Sequence, residues 1–344
     1  MPETSKNTHL ELPPVIFGTS GLGNLYAALD DAVKLEIVRN CFAHSKGKVV
    51  FDSAGKYGAG LALESLGKCL SLLNVKPEEV MISNKLGWYR TPLTTPEPTF
   101  EQGVWKDIQH DAVQKISYQG IIDCFNQGNE LLGIYIPDMV SVHDPDEYLA
   151  TARDSAHFEE LYNDIKEAYR ALADLKREGK VKAIGVGAKD WKTIERIESD
   201  VELDWVMIAN SMTVHSHPAD LLAFMEKLKN KGVQIINSAV FNAGFLIGGD
   251  YYNYKLIDPL VPETQSLFKW REEFFNLCTK YEIKPAEACV YFGLQAPGVS
   301  SIALNTTNPD RVEKNIKMAY EDIPDAFWKE MKEKGLISES YSYL

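Results

Sequence analysis

No apolar stretch in this chain is long enough to cross a membrane. Met1 to Pro14 is polar where a secretory leader would carry an apolar run. Positive charge is in short supply: 36 Lys and Arg against 49 Asp and Glu leave a net charge of -13. A nucleic-acid partner calls for a basic face, so that class is disfavoured. Cysteine is sparse as well. Cys41, Cys69, Cys124, Cys278 and Cys289 are scattered, odd in number and without a CxxC spacing. That pattern argues against a disulfide framework and against a metal centre. They read as reduced core thiols, which places the protein in the cytoplasm. A GxGxxG dinucleotide fingerprint is also missing. Gly18-Thr-Ser-Gly21-Leu-Gly23 and Gly55-Lys-Tyr-Gly58-Ala-Gly60 have the wrong spacing, and Lys85 rather than an acid ends the next strand.

With no Pro/Ser-rich linker, sequence repeat or low-complexity tract, the 344 residues are expected as one domain. Its core would run from about residue 14 to 320, followed by a tail over 321–344. Short β-branched runs alternate with longer amphipathic segments. The runs are Pro14–Gly18, Lys48–Asp52, Val80–Lys85, Met139–His143, Val181–Val186, Trp205–Ala209, Val233–Ser238 and Val299–Leu304. The clearest helix is His157–Lys180, where Leu161, Ile165, Tyr169, Leu172 and Leu175 recur at helical spacing before Gly179. Pro218–Lys231 and Asn308–Tyr320 behave similarly; in the latter Asn308 can cap and Pro309 fits the first turn. Eight strands with helices between them predict an α/β fold, a parallel sheet closed into a (β/α)8 TIM barrel. Two connections are long: Leu86 to about His110, with Trp88, Tyr89, Phe100 and Trp105, and Phe241 to about Thr264, with Tyr251, Tyr252 and Tyr254. Both follow strands, so both are expected over the catalytic face, with their aromatics as cleft walls.

Asp52, Lys85 and His143 each end a strand, and Tyr57 lies in the Gly-rich turn five residues after Asp52. Taken singly, each has an ordinary structural explanation: a turn cap, a surface lysine, a loop histidine, a packed aromatic. Their joint placement after strands two, three and four is what points to chemistry. An acid, a phenol, an amine and an imidazole at converging strand ends suit proton transfer at a carbinol oxygen. Tyr57 would move the proton, with the Lys85 ammonium favouring its phenolate. Asp52 would hold Lys85 charged and oriented, and His143 would place the substrate oxygen. No side chain donates hydride, so a nicotinamide is implied.

Phe51-Asp52-Ser-Ala-Gly-Lys-Tyr57-Gly, Ser83-Asn84-Lys85 and Val142-His143-Asp-Pro together resemble the motifs of the aldo-keto reductase superfamily. The resemblance runs from Pro14 to about Tyr320. It implies a catalytic tetrad of Tyr57, Lys85, Asp52 and His143, and NAD or NADP bound across the C-terminal face of the barrel. Gly18, Thr19 and Ser20 match the opening beside the nicotinamide. Where many members have Ser-Asn for the carboxamide, this chain has Gly187-Ala188. Ser238 stands near the position of a common stacking tyrosine, and Asn242 and Gly244 match the loop that follows. Thr306, Arg311 and Asn315 match the adenosine-phosphate segment, whereas Asn305 replaces a lysine that often binds the 2′-phosphate. The missing cation tilts the expectation towards NAD, although Arg311 can meet a phosphate bidentately.

These departures, with Val-Phe-Asn242-Ala-Gly244, look like the aldose 1-dehydrogenase branch, which acts on D-threo-aldose, L-fucose, D-arabinose and L-galactose. The resemblance thus implies oxidation of an aldose C1 hemiacetal to a lactone. Trp88, Trp105 and Asp144 are the candidate sugar contacts. Two other readings stand beside it: an NADPH-dependent reductase of an aldehyde or ketone, and a nucleotide-binding regulatory protein with little turnover. The expected partner is a small sugar or carbonyl compound, with no nucleic acid, membrane or metal; oligomeric state is not legible.

Overall fold

A computed structural model describes residues 10–344; the reading of the polar N-terminus falls partly on residues 1–9, outside the described residues. Eight parallel strands close into a barrel: β1 (Val15–Gly18), β2 (Val49–Ala54), β3 (Val80–Leu86), β4 (Met139–His143), β5 (Ala183–Ala188), β6 (Trp205–Ala209), β7 (Gln234–Ser238) and β8 (Val299–Leu304). Neighbours in sequence are neighbours in the barrel, and β8 closes on β1 with Val15 opposite Ile302. All eight fall on the runs read from the sequence.

Alternation along the strands explains the core. Successive side chains of a strand point to opposite faces. Ile16, Val50, Met81, Met139, Ala183, Trp205, Met207 and Ile236 fill the barrel interior, and Leu10 joins them. The residues between them, such as Phe51, Ile82, Val140 and Val142, pack outward against helices. Asp52, Lys85 and His143 lie two or four residues beyond Val50, Met81 and Met139, so the same periodicity puts them on the inner face.

The helix expected over His157–Lys180 spans Ser155–Arg177 and starts earlier because Asp154 caps it, its side chain accepting from His157 N at 2.8 Å. The expected helix over Asn308–Tyr320 divides into a 3-10 turn, Pro309–Arg311, and an α-helix, Val312–Met318. Asn308 caps this segment, accepting from Asp310 N at 2.9 Å. The connection after β3 is not purely irregular. Trp88–Pro92 and His110–Gln114 pair as an antiparallel hairpin, with Trp88 opposite Gln114. A second small hairpin joins Tyr251–Tyr252 to Lys255–Leu256. The segment after residue 320 belongs to the packed core: Phe327, Trp328, Met331, Leu336, Ile337 and Tyr341 are buried in the main cluster. Tyr341 stacks on Phe292 at 4.7 Å. All five cysteines are buried and free. No helix among the described residues is long and apolar enough to cross a membrane.

Candidate active site

The C-terminal ends of β2, β3 and β4 bring the tetrad together. Lys85 Nζ donates to Asp52 Oδ2 in a buried ion pair, and lies 3.1 Å from the Tyr57 hydroxyl. The imidazole of His143 stands edge-on to the Tyr57 ring, centroids 5.4 Å apart. Tyr57 reaches this position because its turn packs tightly on the loop after β1. A Cβ at Gly58, where φ is +60°, would lie 2.3 Å from the Gly23 carbonyl oxygen, so only glycine fits.

Burial and charge set the protonation states. Burial pushes the Lys85 ammonium towards deprotonation, but the Asp52 carboxylate and the Tyr57 phenol reverse this, and Lys85 is held charged. The Tyr57 phenol is pushed up to about 12, because burial outweighs the downward pull of Lys85 and Asp52 adds to the rise. The pull of Lys85 towards the phenolate, expected from the sequence, is exceeded by desolvation. His143 is held well below its ordinary value by burial, then by the cations of Lys56 and Lys85. It is therefore neutral at neutral pH and able to donate one N–H.

Around the tetrad the other predicted residues divide. Trp105 is buried, 5.8 Å from the Tyr57 ring, and its indole N–H donates to Glu101 at 2.7 Å. Trp88 packs on Phe100 at 5.6 Å. Asp144 adopts a left-handed conformation directly after β4, and its Oδ2 lies 3.6 Å from His143 Nε2. Gly187 is open on its inner side: an added Cβ would make only ordinary contacts, with Met207 at 3.5 Å and Lys85 Cε at 3.9 Å. Thr19 is tied to the end of β2 through the Asp52 carbonyl at 3.1 Å. Asn305 donates to Ser20 at 2.7 Å, which joins the ends of β1 and β8. Arg311 and Asn315 sit farther along, on the segment after β8, and Arg311 is exposed. The Thr306 hydroxyl is engaged in its own turn, accepting from Asn308 N at 3.1 Å.

Sequence reasoning missed Asn210, which follows β6 with φ +61°, and whose buried Oδ1 has no hydrogen-bond partner. The buried Oδ1 of Asn242, in the turn after β7, is likewise unpartnered, while its amide donates to the Asn210 carbonyl and to Asn253. Two orphaned buried acceptors in the loops after β6 and β7 fit a group carrying N–H donors, as a nicotinamide carboxamide does. Sequence reasoning also missed Lys56, Glu101, Glu147 and Lys189 at the rim.

The profile of the Aldo/keto reductase family matches residues 14–335. The chain belongs to this family. Aldo/keto reductases are oxidoreductases that use NAD(P)H and bind small carbonyl or alcohol substrates. The chain is 26% identical over 344 residues to a pyridoxal 4-dehydrogenase from Microbacterium luteolum, covering 96% of each chain. It is 26% identical over 341 residues to a D-threo-aldose 1-dehydrogenase from a Pseudomonas species, covering 95% of each. An aldo-keto reductase from Bacillus halodurans in its holo form superposes with a TM-score of 0.66 at 17% identity, over 96% of this chain and 93% of that one.

Proposed function

We propose that this aldo-keto reductase oxidises the C1 hemiacetal of an aldose to the lactone, with Tyr57 as the group that takes the hydroxyl proton. The observation that carries the proposal is the contact of Lys85 with both Asp52 and Tyr57, with His143 edge-on to the same phenol. His143, neutral, donates its N–H to the substrate oxygen and sets it against the Tyr57 hydroxyl. As the C1–H bond breaks, the hydroxyl proton passes to the Tyr57 oxygen and the C1–O bond becomes a carbonyl. Lys85 stabilises the phenolate that accepts this proton, and Asp52 keeps Lys85 in place. When bound, the nicotinamide takes the hydride in oxidation and returns it in reduction.

Gly18, Thr19, Ser20, Gly187, Ala188, Ser238, Asn242 and Gly244 would hold the nicotinamide and the adjoining phosphates, joined by Asn210. Asn305, Thr306, Arg311 and Asn315 would meet the adenosine end, with NAD favoured over NADP. Likeness to an aldose 1-dehydrogenase supports a cyclic hemiacetal substrate, and so does likeness to a pyridoxal dehydrogenase, because pyridoxal also closes to a hemiacetal. The carboxylates of Asp144 and Glu147 at the rim suit the hydroxyls of a sugar.

One observation favours the reductive direction at neutral pH. A phenol pushed up to about 12 is already protonated and ready to give its proton to a carbonyl oxygen. Free aldoses assayed with NAD+ and NADP+, and aldehydes with the reduced cofactors, test both directions. Turnover of aldoses supports the proposal. Turnover of aldehydes alone makes the protein a carbonyl reductase, and binding of nucleotide without turnover makes it a regulatory protein.

A further inference from the structure

Lys56 immediately precedes Tyr57, and its side chain turns to the connections after β3 and β4. It is buried, and its ammonium meets three carboxylates: Glu101 at 2.8 Å, Glu147 at 3.1 Å and Asp144 at 3.5 Å. It also lies 5.3 Å from the centre of the Trp88 ring. These partners come from two different connections. Glu101 and Trp88 belong to the segment after β3, Asp144 and Glu147 to the segment after β4. Each partner reaches further into the site. Glu101 accepts from the Trp105 indole, which packs on Tyr57. Asp144 faces His143, and Glu147 bridges Lys56 to Lys189.

We propose that Lys56 is a positioning residue: it clamps the 86–110 connection to the start of the segment after β4, and so presents the Asp144 carboxylate beside His143 for a substrate hydroxyl next to the reacting carbon. Two physical reasons support this. Without the cation, Glu101, Asp144 and Glu147 are like charges around one buried point, and they repel. The clamp also leaves Asp144 Oδ1 for the substrate, while Oδ2 lies 3.5 Å from the Lys56 ammonium. An aldose, with a hydroxyl at C2, would use that oxygen; a simple aldehyde without neighbouring hydroxyls would not. This inference rests on the tetrad assignment but not on which sugar is turned over.

The test compares Lys56→Met and Lys56→Arg with the wild type, on an aldose and on an aldehyde that lacks hydroxyls. A hydrogen bond to a charged group contributes about 1.5–3 kcal/mol, so losing the Asp144 contact raises KM for the aldose by about tenfold or more. KM for the plain aldehyde stays near its wild-type value, and Lys56→Arg restores much of the difference. A second readout is the titration of His143, which faces Lys56, Lys85, Lys189, Asp144 and Glu147. Removing Lys56 takes away a cation that disfavours imidazolium, so the acid limb of kcat/KM moves to higher pH for either substrate. Lys56→Gln repeats both measurements if Lys56→Met does not fold. Equal effects on the two substrates with an unmoved acid limb overturn the proposal. A wild type that turns over the aldehyde but no aldose overturns the aldose reading instead, and the acid limb, followed on the aldehyde, still decides the role of Lys56.

Discussion

Lys85 and Tyr57 lie 3.1 Å apart through Nζ and the phenol oxygen, yet the phenol is pushed up to about 12. Proximity of a cation favours a phenolate, and burial in the barrel mouth opposes it more strongly. The pair is therefore poised with both protons in place, Lys85 as ammonium and Tyr57 as phenol. Reaction in the oxidative direction has to draw the proton off the phenol, so its rate rises as pH climbs.

Lys85→Met removes the cation that opposes the effect of burial. The Tyr57 phenol then rises further, so the phenolate needed for oxidation forms only at higher pH. The rising limb of kcat against pH for oxidation is expected to move in the alkaline direction. A pH–rate series on both proteins checks this, and an unmoved limb with unchanged rate would leave Lys85 a purely structural role.

His143 links the site to stability. Burial, Lys56 and Lys85 hold its folded-state value well below the ordinary 6.5. The unfolded chain takes up a proton as pH falls through about 6.5 and the folded protein resists it. Stability from this group is present in full above that pH and is lost progressively below it. His143→Gln has no such proton to bind. From about pH 7 down to about pH 5, the wild-type Tm should fall more steeply than that of the variant. His215 and His217, also held low by burial, are common to both proteins and cancel in the comparison. Parallel Tm curves would contradict the assignment.

The proposed preference for NAD rests on one amide. Asn305 is joined to Ser20 at 2.7 Å and brings no charge to the end of β8. The expectation is that NAD+ binds at least as well as NADP+, and that Asn305→Lys shifts affinity towards NADP+. Dissociation constants of both nucleotides, measured on the two proteins by fluorescence titration, check it. A strong wild-type preference for NADP+ that disappears in Arg311→Ala would show that Arg311 replaces the missing lysine.

Below the tetrad, Gly185 on β5 admits the Trp205 ring into the barrel interior. A Cβ there would lie 2.2 Å from the indole and 2.5 Å from the Trp205 carbonyl oxygen. Gly185→Ala forces the fully buried Trp205 or the strand to move, an overpacking that typically costs about 1–3 kcal/mol. Urea unfolding should show the loss as a lower midpoint with an unchanged slope.

Much of the fold was legible because parallel strands buried on both faces read as short apolar runs, and their ends carry the polar residues. Asp52, Lys85 and His143 were found that way, and Tyr57 from its glycine-rich turn. The hairpin Trp88–Pro92 with His110–Gln114 was not legible, because its strands are short, half-buried and end in Pro92, with about seventeen residues between them. Lys56 was passed over because a lone lysine carries no pattern, and its partners Glu101, Asp144 and Glu147 lie some forty-five to ninety residues further along the chain. Asn210 was invisible for a related reason: only the structure shows that its Oδ1 is buried without a donor. The sequence set the core at about 14–320 and left 321–344 as a tail without a strand or motif of its own; the rings of Tyr341 and Tyr343 pack on Phe292 and on each other.

The proton-transfer role of Tyr57 is tested most directly by Tyr57→Phe, which keeps the ring against Trp105 and His143 and removes only the oxygen. Loss of a general acid–base group typically lowers rate by about 10²–10⁴-fold. The measurement is kcat of the variant on the best substrate, taken with the dissociation constant of the cofactor. kcat should fall by that factor, with cofactor affinity nearly unchanged. A variant that keeps more than half of the wild-type kcat would contradict it.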